Sequence, residues 1–164
     1  KSLAASFKPL PVGTPYLNEG KDSIVEQIAD RLEESELGDD ANINVEEKGV
    51  VVSFKASAYF KPDSANLSQK AVKEMSRFSK LVFLLPNRIQ IEGHTEKTPS
   101  KNWDSTWELA GARASKVALF FIKNGLDPTK ITVKSFGSTR PRFREASPTQ
   151  RNLNNRVEVV VLPE

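Results

Sequence analysis

Cysteine is absent from this 164-residue chain, and histidine occurs once, at His94. Without thiols there is no disulfide, no thiolate nucleophile and no thiolate-held metal. A single histidine leaves a zinc site short of its three or four ligands, so neither a metal nor another cofactor is expected. A catalytic serine would need a strained strand-to-helix elbow, which "GHT" at 93–95 is not, and no enzymatic activity is expected. His94 reads instead as a structural residue, hydrogen-bonded to loop backbone at a strand end. Long apolar runs are missing too. "LVFLL" at 81–85 is far below the roughly 20 residues needed to cross a bilayer, and no basic-then-apolar signal segment opens the chain. Lys1 in first place suggests a fragment or a processed form, so any membrane anchor is expected outside this sequence. Charge of one sign is also lacking: 24 basic residues meet 21 acidic ones, for a net +3. Nucleic-acid binders gather their cations on one face or tail. Here they are interspersed with carboxylates, except in "RPRFR" at 140–144, so no nucleic-acid partner is expected. That run reads as a solvated loop, or as a contact for anionic glycan or a protein partner.

With 38% hydrophobic residues, the chain can bury one core of modest size. Residues 7–20, "FKPLPVGTPYLNEG", carry three prolines and two glycines. Proline fixes φ and removes a donor, so residues 1–21 read as an extended tether. From Asp22 the pattern turns helical, with Ile24, Ile28 and Leu32 in one stripe widened by Val25 and Ala29, an Asp22 or Ser23 cap and a stop at Gly38. "NINVE", the turn "EKG" and "VVVSFK" then predict a hairpin. A helix follows with Asn66 and Gln69 as its capping box and Leu67, Ala71, Met75, Phe78, Val82 and Leu85 facing inward. "RIQIEG" is a strand. After a loop of about ten residues, Ser105 and Glu108 box the start of the next helix, and Gly125 offers its left-handed cap. "KITVKSFG" is expected as a third core strand and "NRVEVVVL" as the last strand, with a short helical turn between them. Strands interleaved with helices predict a mixed sheet with helices packed on it, in one α/β-type (α+β) sandwich. The first helix and hairpin, residues 22–58, are assigned to the same domain as the 59–164 core.

Glu96 lies just past the 88–93 strand, and Arg113 lies more than two turns into the helix that follows. A strand–loop–helix crossover brings both to the carboxyl end of a sheet, a common place for ligands. A carboxylate and a guanidinium facing one cleft can grip a zwitterion: one takes an ammonium, the other a carboxylate in a bidentate fork. The competing readings are that the two pair with one another, or that each is merely solvated. Trp103 and Trp107 would share one side if both were helical, one in the core and the other over the cleft or against a partner.

Five separated motifs, "FKPDSANL" (60–67), "IQIEGHTEKTP" (89–99), "WELAGARASKV" (107–117), "ITVKSFGSTRP" (131–141) and "QRNLNNRVEVVV" (150–161), together resemble a known family. It is the peptidoglycan-associating domain shared by OmpA-like outer-membrane proteins and flagellar stator B-subunits. The long loop after "GHT", the tether and the upstream helix are most similar to the stator (MotB-like) branch. The resemblance implies noncovalent capture of a peptidoglycan stem peptide by the zwitterionic end of a diaminopimelate-type residue. The family aspartate that takes the amine falls at Glu96, and the arginine that takes the carboxylate at Arg113. The first arginine of the family's arginine pair falls at Asn155 and the second at Arg156. Asp63 or Ser64 supplies a polar loop group, and Thr95 of "GHT" completes the expected set. Glu96 adds a methylene where geometry is narrow. Asn155 removes a charge-assisted bond worth roughly 1.5–3 kcal/mol, although it still offers a neutral donor. Weakened binding, altered stem-peptide preference or a partly retired pocket is expected. The implied protein is a periplasmic domain of an inner-membrane stator subunit, homodimeric, joined to a stator A-subunit through a membrane helix that this chain lacks. An OmpA-like or Pal-like envelope protein tethering outer membrane to wall, or a stator-like subunit of another ion-driven machine, is the alternative.

Overall fold

A computed structural model of the chain describes residues 19–97 and 100–163; the tether expected over residues 1–21 lies outside them as far as residue 18. Helix α1, Glu19–Glu33, starts three residues before the expected Asp22. Val25, Ile28, Ala29 and Leu32 form its buried stripe, whereas Ile24 is 52% exposed and does not belong to it. The helix ends well before Gly38. The stop is made by a tight turn over Leu32–Ser35 and by Glu36, whose φ of 54° ends the helical path. Gly38 serves elsewhere, donating its N–H to Glu74 Oε1 at 3.1 Å.

Strands β1 (Ala41–Glu46) and β2 (Gly49–Lys55) form the expected antiparallel hairpin around Glu47 and Lys48. Gly49 closes it at φ 135°, with Val161 O only 2.2 Å from where a Cβ would stand. A short helix α2, Ala56–Tyr59, follows. Helix α3, Gln69–Phe83, is capped by Ser68, whose hydroxyl accepts from Ala71 N, and not by the expected Asn66. Asn66 is held out of the helix because its N–H bonds Ser64 Oγ, while neighbouring Leu67 bridges to Phe60. Ala71, Met75, Phe78 and Val82 face inward as the periodicity predicts.

Strand β3 (Ile89–His94) leads through the long loop to helix α4 (Thr106–Lys123), capped by the Ser105 hydroxyl on Glu108 N. Trp103 therefore precedes the helix and does not share a helical face with Trp107. Neither indole is in the core: Trp103 is half-buried, and Trp107 is 49% exposed over Gly137. Gly125, at φ 107°, sits just past the end of α4 as expected. Strand β4 (Ile131–Gly137) comes next and is not the core strand expected: it lies at the sheet edge, with Thr132, Val133 and Lys134 exposed. Helix α5 (Pro148–Asn154), opened by a full capping box of Ser147 and Gln150, is more than the single turn predicted. Strand β5 is Arg156–Val161.

The sheet runs β1-β2-β5-β3-β4. Only β3 and β4 are parallel; the other neighbours are antiparallel. The last strand thus lies in the middle, and all six of its residues are buried. Val157, Val159 and Val161 face the helices in one core that runs from Val25 and Leu32 of α1 through Phe54, Phe78 and Ile91 to Val117 and Phe121 of α4. The chain is therefore an α+β sandwich with its helices packed on a mixed five-stranded sheet, and the N-terminal helix and hairpin share its core. Gly93 sets the distance between β3 and α4. A Cβ there would stand 1.9 Å from Ala110 O, so strand and helix backbones touch. That contact fixes how far along α4 a side chain must stand to reach past the end of β3.

Candidate functional site

A cleft of about 240 Å³ opens at the carboxyl end of β3. Its walls are the start of α2, Pro62 and Asp63, Thr95 and Glu96, the first two turns of α4, and Asn152 and Asn155 at the end of α5. Arg113 and Glu96 line it together. They form no salt bridge with each other, and among the described residues Arg113 forms none at all.

Arg113 is buried at 7% exposure. Its Nε donates to Ser64 O at 2.8 Å, and the guanidinium lies over the Phe60 ring at 5.3 Å from its centre. Both contacts hold the group in place without neutralising it. Burial lowers its pKa, and the nearby charge of Asp63 opposes the shift. A guanidinium out of water with no carboxylate partner is a costly arrangement that an incoming anion would relieve.

Glu96 is fixed from two sides. Its N–H donates to Asn155 Oδ1 at 2.8 Å, and its Oε2 accepts from Asn154 Nδ2. Asn154 is 1% exposed and also clasps Phe143, accepting from its N–H and donating to its carbonyl, both at 2.9 Å. One buried amide thus ties the Glu96 carboxylate to the loop before α5. The sequence does not single out Asn154, since an amide in "NLNN" carries no mark of what it bonds in space.

The other expected residues fall into two groups. Thr95 lines the cleft; its N–H donates to Gly137 O at 2.8 Å, while its buried Oγ1 has no partner among the described residues. Asn155 lines the cleft with its Oδ1 already engaged by Glu96 N. Asp63, at φ 50°, also lines the cleft, but its carboxylate accepts from the Ser100 hydroxyl at 2.6 Å and from the N–H groups of Lys101 and Asn102, each at 3.1 Å. Its carbonyl accepts from Trp103 Nε1 at 3.1 Å. The Ser100 hydrogen bond leads the lowering of its carboxyl pKa. Asp63 therefore clasps the long loop, and Ser64 supplies its backbone carbonyl to Arg113, with its hydroxyl on Asn66 N.

His94 faces the other side of the sheet. Its Nε2 meets Glu92 Oε1 at 3.1 Å, not loop backbone as expected, and its ring stacks on Phe136 at 5.2 Å. The register places Glu92 opposite Glu158 and His94 opposite Arg156. Lys48 Nζ sits between the two carboxylates, 3.0 Å from Glu92 and 2.9 Å from Glu158. Arg142 and Arg156 add 2.7 and 2.6 Å pairs to Glu158, and Arg142 also reaches Glu46 at 2.9 Å. Arg140 lies over Phe136 at 4.3 Å. "RPRFR" is therefore mostly committed to this internal network. Ligand atoms of Glu92, His94 and Glu158 fall within 4.8 Å of one another, as a metal would require, so carboxylates bring together what absent cysteines do not. The Lys48 ammonium stands against both carboxylates, and the network is already charge-paired.

Comparison with known proteins agrees with this architecture. Residues 59–155, more than half of the chain, match the OmpA family. Motility protein B of Bacillus subtilis (strain 168) is 28% identical over 146 residues, which cover 87% of this chain and 56% of that protein. The periplasmic domain of Helicobacter pylori MotB aligns with a TM-score of 0.70 at 28% identity, over 76% of this chain and 80% of that one. The cell wall anchor of the T6SS from Pseudomonas aeruginosa aligns with a TM-score of 0.71 at 25% identity, over 84% and 97%. The chain spans from about half to nearly two thirds of the curated relatives it matches. With motifs, strand order and relatives in agreement, the chain belongs to the OmpA family as a MotB-like member.

Proposed function

We propose that this domain is a non-enzymatic anchor that binds peptidoglycan by the zwitterionic end of a stem-peptide residue. The observation that carries the reading is Arg113: buried, held by Ser64 O and the Phe60 ring, and without a carboxylate partner among the described residues. In the bound state its free guanidinium edge takes the ligand carboxylate, Glu96 takes the ammonium, and Thr95 Oγ1 gains the partner it lacks. Asn155 contributes a neutral donor, and Asp63 and Ser64 act by shaping the wall around Arg113.

Arg113→Ala is expected to abolish co-sedimentation with purified cell-wall sacculi; undiminished capture would remove the cleft from consideration. A variant with Glu96→Asp and Asn155→Arg tests the departures from the family pattern. Stronger capture is expected if the lost cation outweighs the lost Asn155–Glu96 hydrogen bond. Turnover of soluble muropeptides by the purified domain would overturn the non-enzymatic reading.

The MotB-like relatives support a wider setting. The domain serves as the periplasmic, wall-holding part of a homodimeric stator subunit, attached to its A-subunit through a membrane helix outside this chain. Among the described residues no helix is long and apolar enough to cross a membrane. An apolar span of ~20 residues upstream of Lys1, and loss of motility on deletion, are the expected results; a lipidated cysteine there would favour a Pal-like tether. The likeness to the T6SS wall anchor supports a second reading, in which the same grip holds another envelope machine. Secretion lost with motility intact would decide for it.

A further inference from the structure

A second, larger cleft of about 640 Å³ adjoins the first, and Glu96 and Asn155 line both. Apart from that shared threshold it is lined by Lys97, Arg144, Arg151, Glu145 and Ala146, which is three cations against one carboxylate. None of the three cations forms a salt bridge with a described residue. This sets them apart from Arg142 and Arg156, which are paired with carboxylates, and Arg140 differs in lying over the Phe136 ring.

Their placement is held by the fold. Arg151 stands four residues before Asn155, the residue that ends α5, and its carbonyl accepts Asn155 N–H at 3.3 Å. Arg144 follows Phe143, whose N–H and carbonyl are both clasped by the Asn154 side chain that also holds Glu96. One buried amide therefore links Glu96 at the threshold to the backbone beside Arg144. Asn155 stands where the family resemblance places an arginine, so the positive charge missing from the first cleft is found in the second.

We propose that the second cleft is an anionic subsite. It receives a second carboxylate borne by the same wall peptide, one or two residues from the zwitterionic end held by Arg113 and Glu96. This inference rests on the anchoring role of the first cleft. The ligand leaves that cleft over the Glu96–Asn155 threshold, and its next acidic group comes to Arg144 and Arg151, with Lys97 adding a third charge. Guanidinium pairs suit a planar carboxylate better than a lone ammonium does. The result is a preference among stem peptides: those with a free acidic neighbour are held, and those in which that acid is amidated are held less.

The test uses the whole chain and two soluble wall tripeptides ending in diaminopimelate, identical except that the glutamate α-carboxylate is free in one and amidated in the other. Calorimetric titration is expected to show about tenfold tighter binding of the free acid, a single-decade effect typical of one charged contact. The double variant Arg144→Gln with Arg151→Gln is expected to bind both forms equally, at the wild-type affinity for the amide. Both side chains are exposed, so an unchanged circular dichroism melt is the folding control. Equal binding of both peptides by the unaltered protein would leave the anchor standing and remove the subsite, as would a double variant that keeps the preference. Failure of the unaltered protein to bind either peptide would overturn both.

Discussion

Asn154 bonds in three directions from an almost fully buried position, to Glu96 Oε2 and to both backbone groups of Phe143. Asn154→Ala strands the Phe143 N–H and frees the Glu96 carboxylate. The expected cost is about 1–3 kcal/mol, read as an earlier midpoint in urea unfolding, together with weaker capture by sacculi. Thr95 makes the opposite case. Its buried hydroxyl has no described partner, so Thr95→Val removes an unpaired polar group and is expected to leave stability within about 1 kcal/mol or raise it. Wall capture by the same variant is expected to fall if, as proposed, a ligand group partners that hydroxyl. Unchanged capture would make Thr95 a packing residue. That Glu96 and Arg113 reach one cleft was legible from a strand–loop–helix crossover, while the choice of these two over a solvated or mutually paired reading came from the family resemblance. Asp63, Ser64 and Asn154 were not legible in their actual roles. An oxygen or an amide bonds whatever backbone the fold brings past it.

At the scale of elements, periodicity located nearly every helix and strand, and the errors sit at their ends. Ser68 caps α3 in place of Asn66, and α1 stops at Glu33 because Glu36 turns left-handed, not because a glycine follows. Caps depend on which of several adjacent hydroxyls and amides is left free by neighbouring chain, and Asn66 is taken by Ser64. The face of β3 and β5 turned away from the helices is charged, as an antiparallel pair allows, but its Glu92, Glu158 and Arg156 are buried and not solvated. Burial pushes the Glu92 and Glu158 carboxyls up, but hydrogen bonds from His94 and Lys48 to the first, and the charge and hydrogen bond of Arg156 with the second, prevail and hold both at about 2. Their folded values lie below the ordinary 4.5, so the stability they add is complete above that pH and lost as pH falls from 4.5 towards 2. His94, lowered from 6.5 mainly by burial, acts in the same sense, because the unfolded chain takes up its proton first. The melting temperature is expected to begin to fall as pH drops below about 6.5, and to fall most steeply between about 4.5 and 2. A melting temperature flat down to pH 3 would mean that the network is not held as described.

For the molecule as a whole, every residue of the first cleft lies between Ala56 and Asn155, while one core joins α1 and the hairpin to the rest. A chain without residues 1–18 is therefore expected to sediment with sacculi as the complete chain does; loss of capture would assign part of the wall contact to the tether. On the proposed stator reading, residues 1–18 would act through reach, and a segment doubled in length is expected to change motor activation; unchanged activation would remove that role. What the residues alone determined was the class of elements, the mixed sheet, and the two opposite charges set at the end of a strand and on the following helix. Apolar spacing and charge are local properties, written in consecutive positions. Only the tertiary structure decided that β5 enters between β2 and β3, that His94 turns away from the cleft, and that Asn154 joins Glu96 to the loop bearing Arg144. Each of these depends on contacts between residues far apart in the chain, chosen by how the whole core closes.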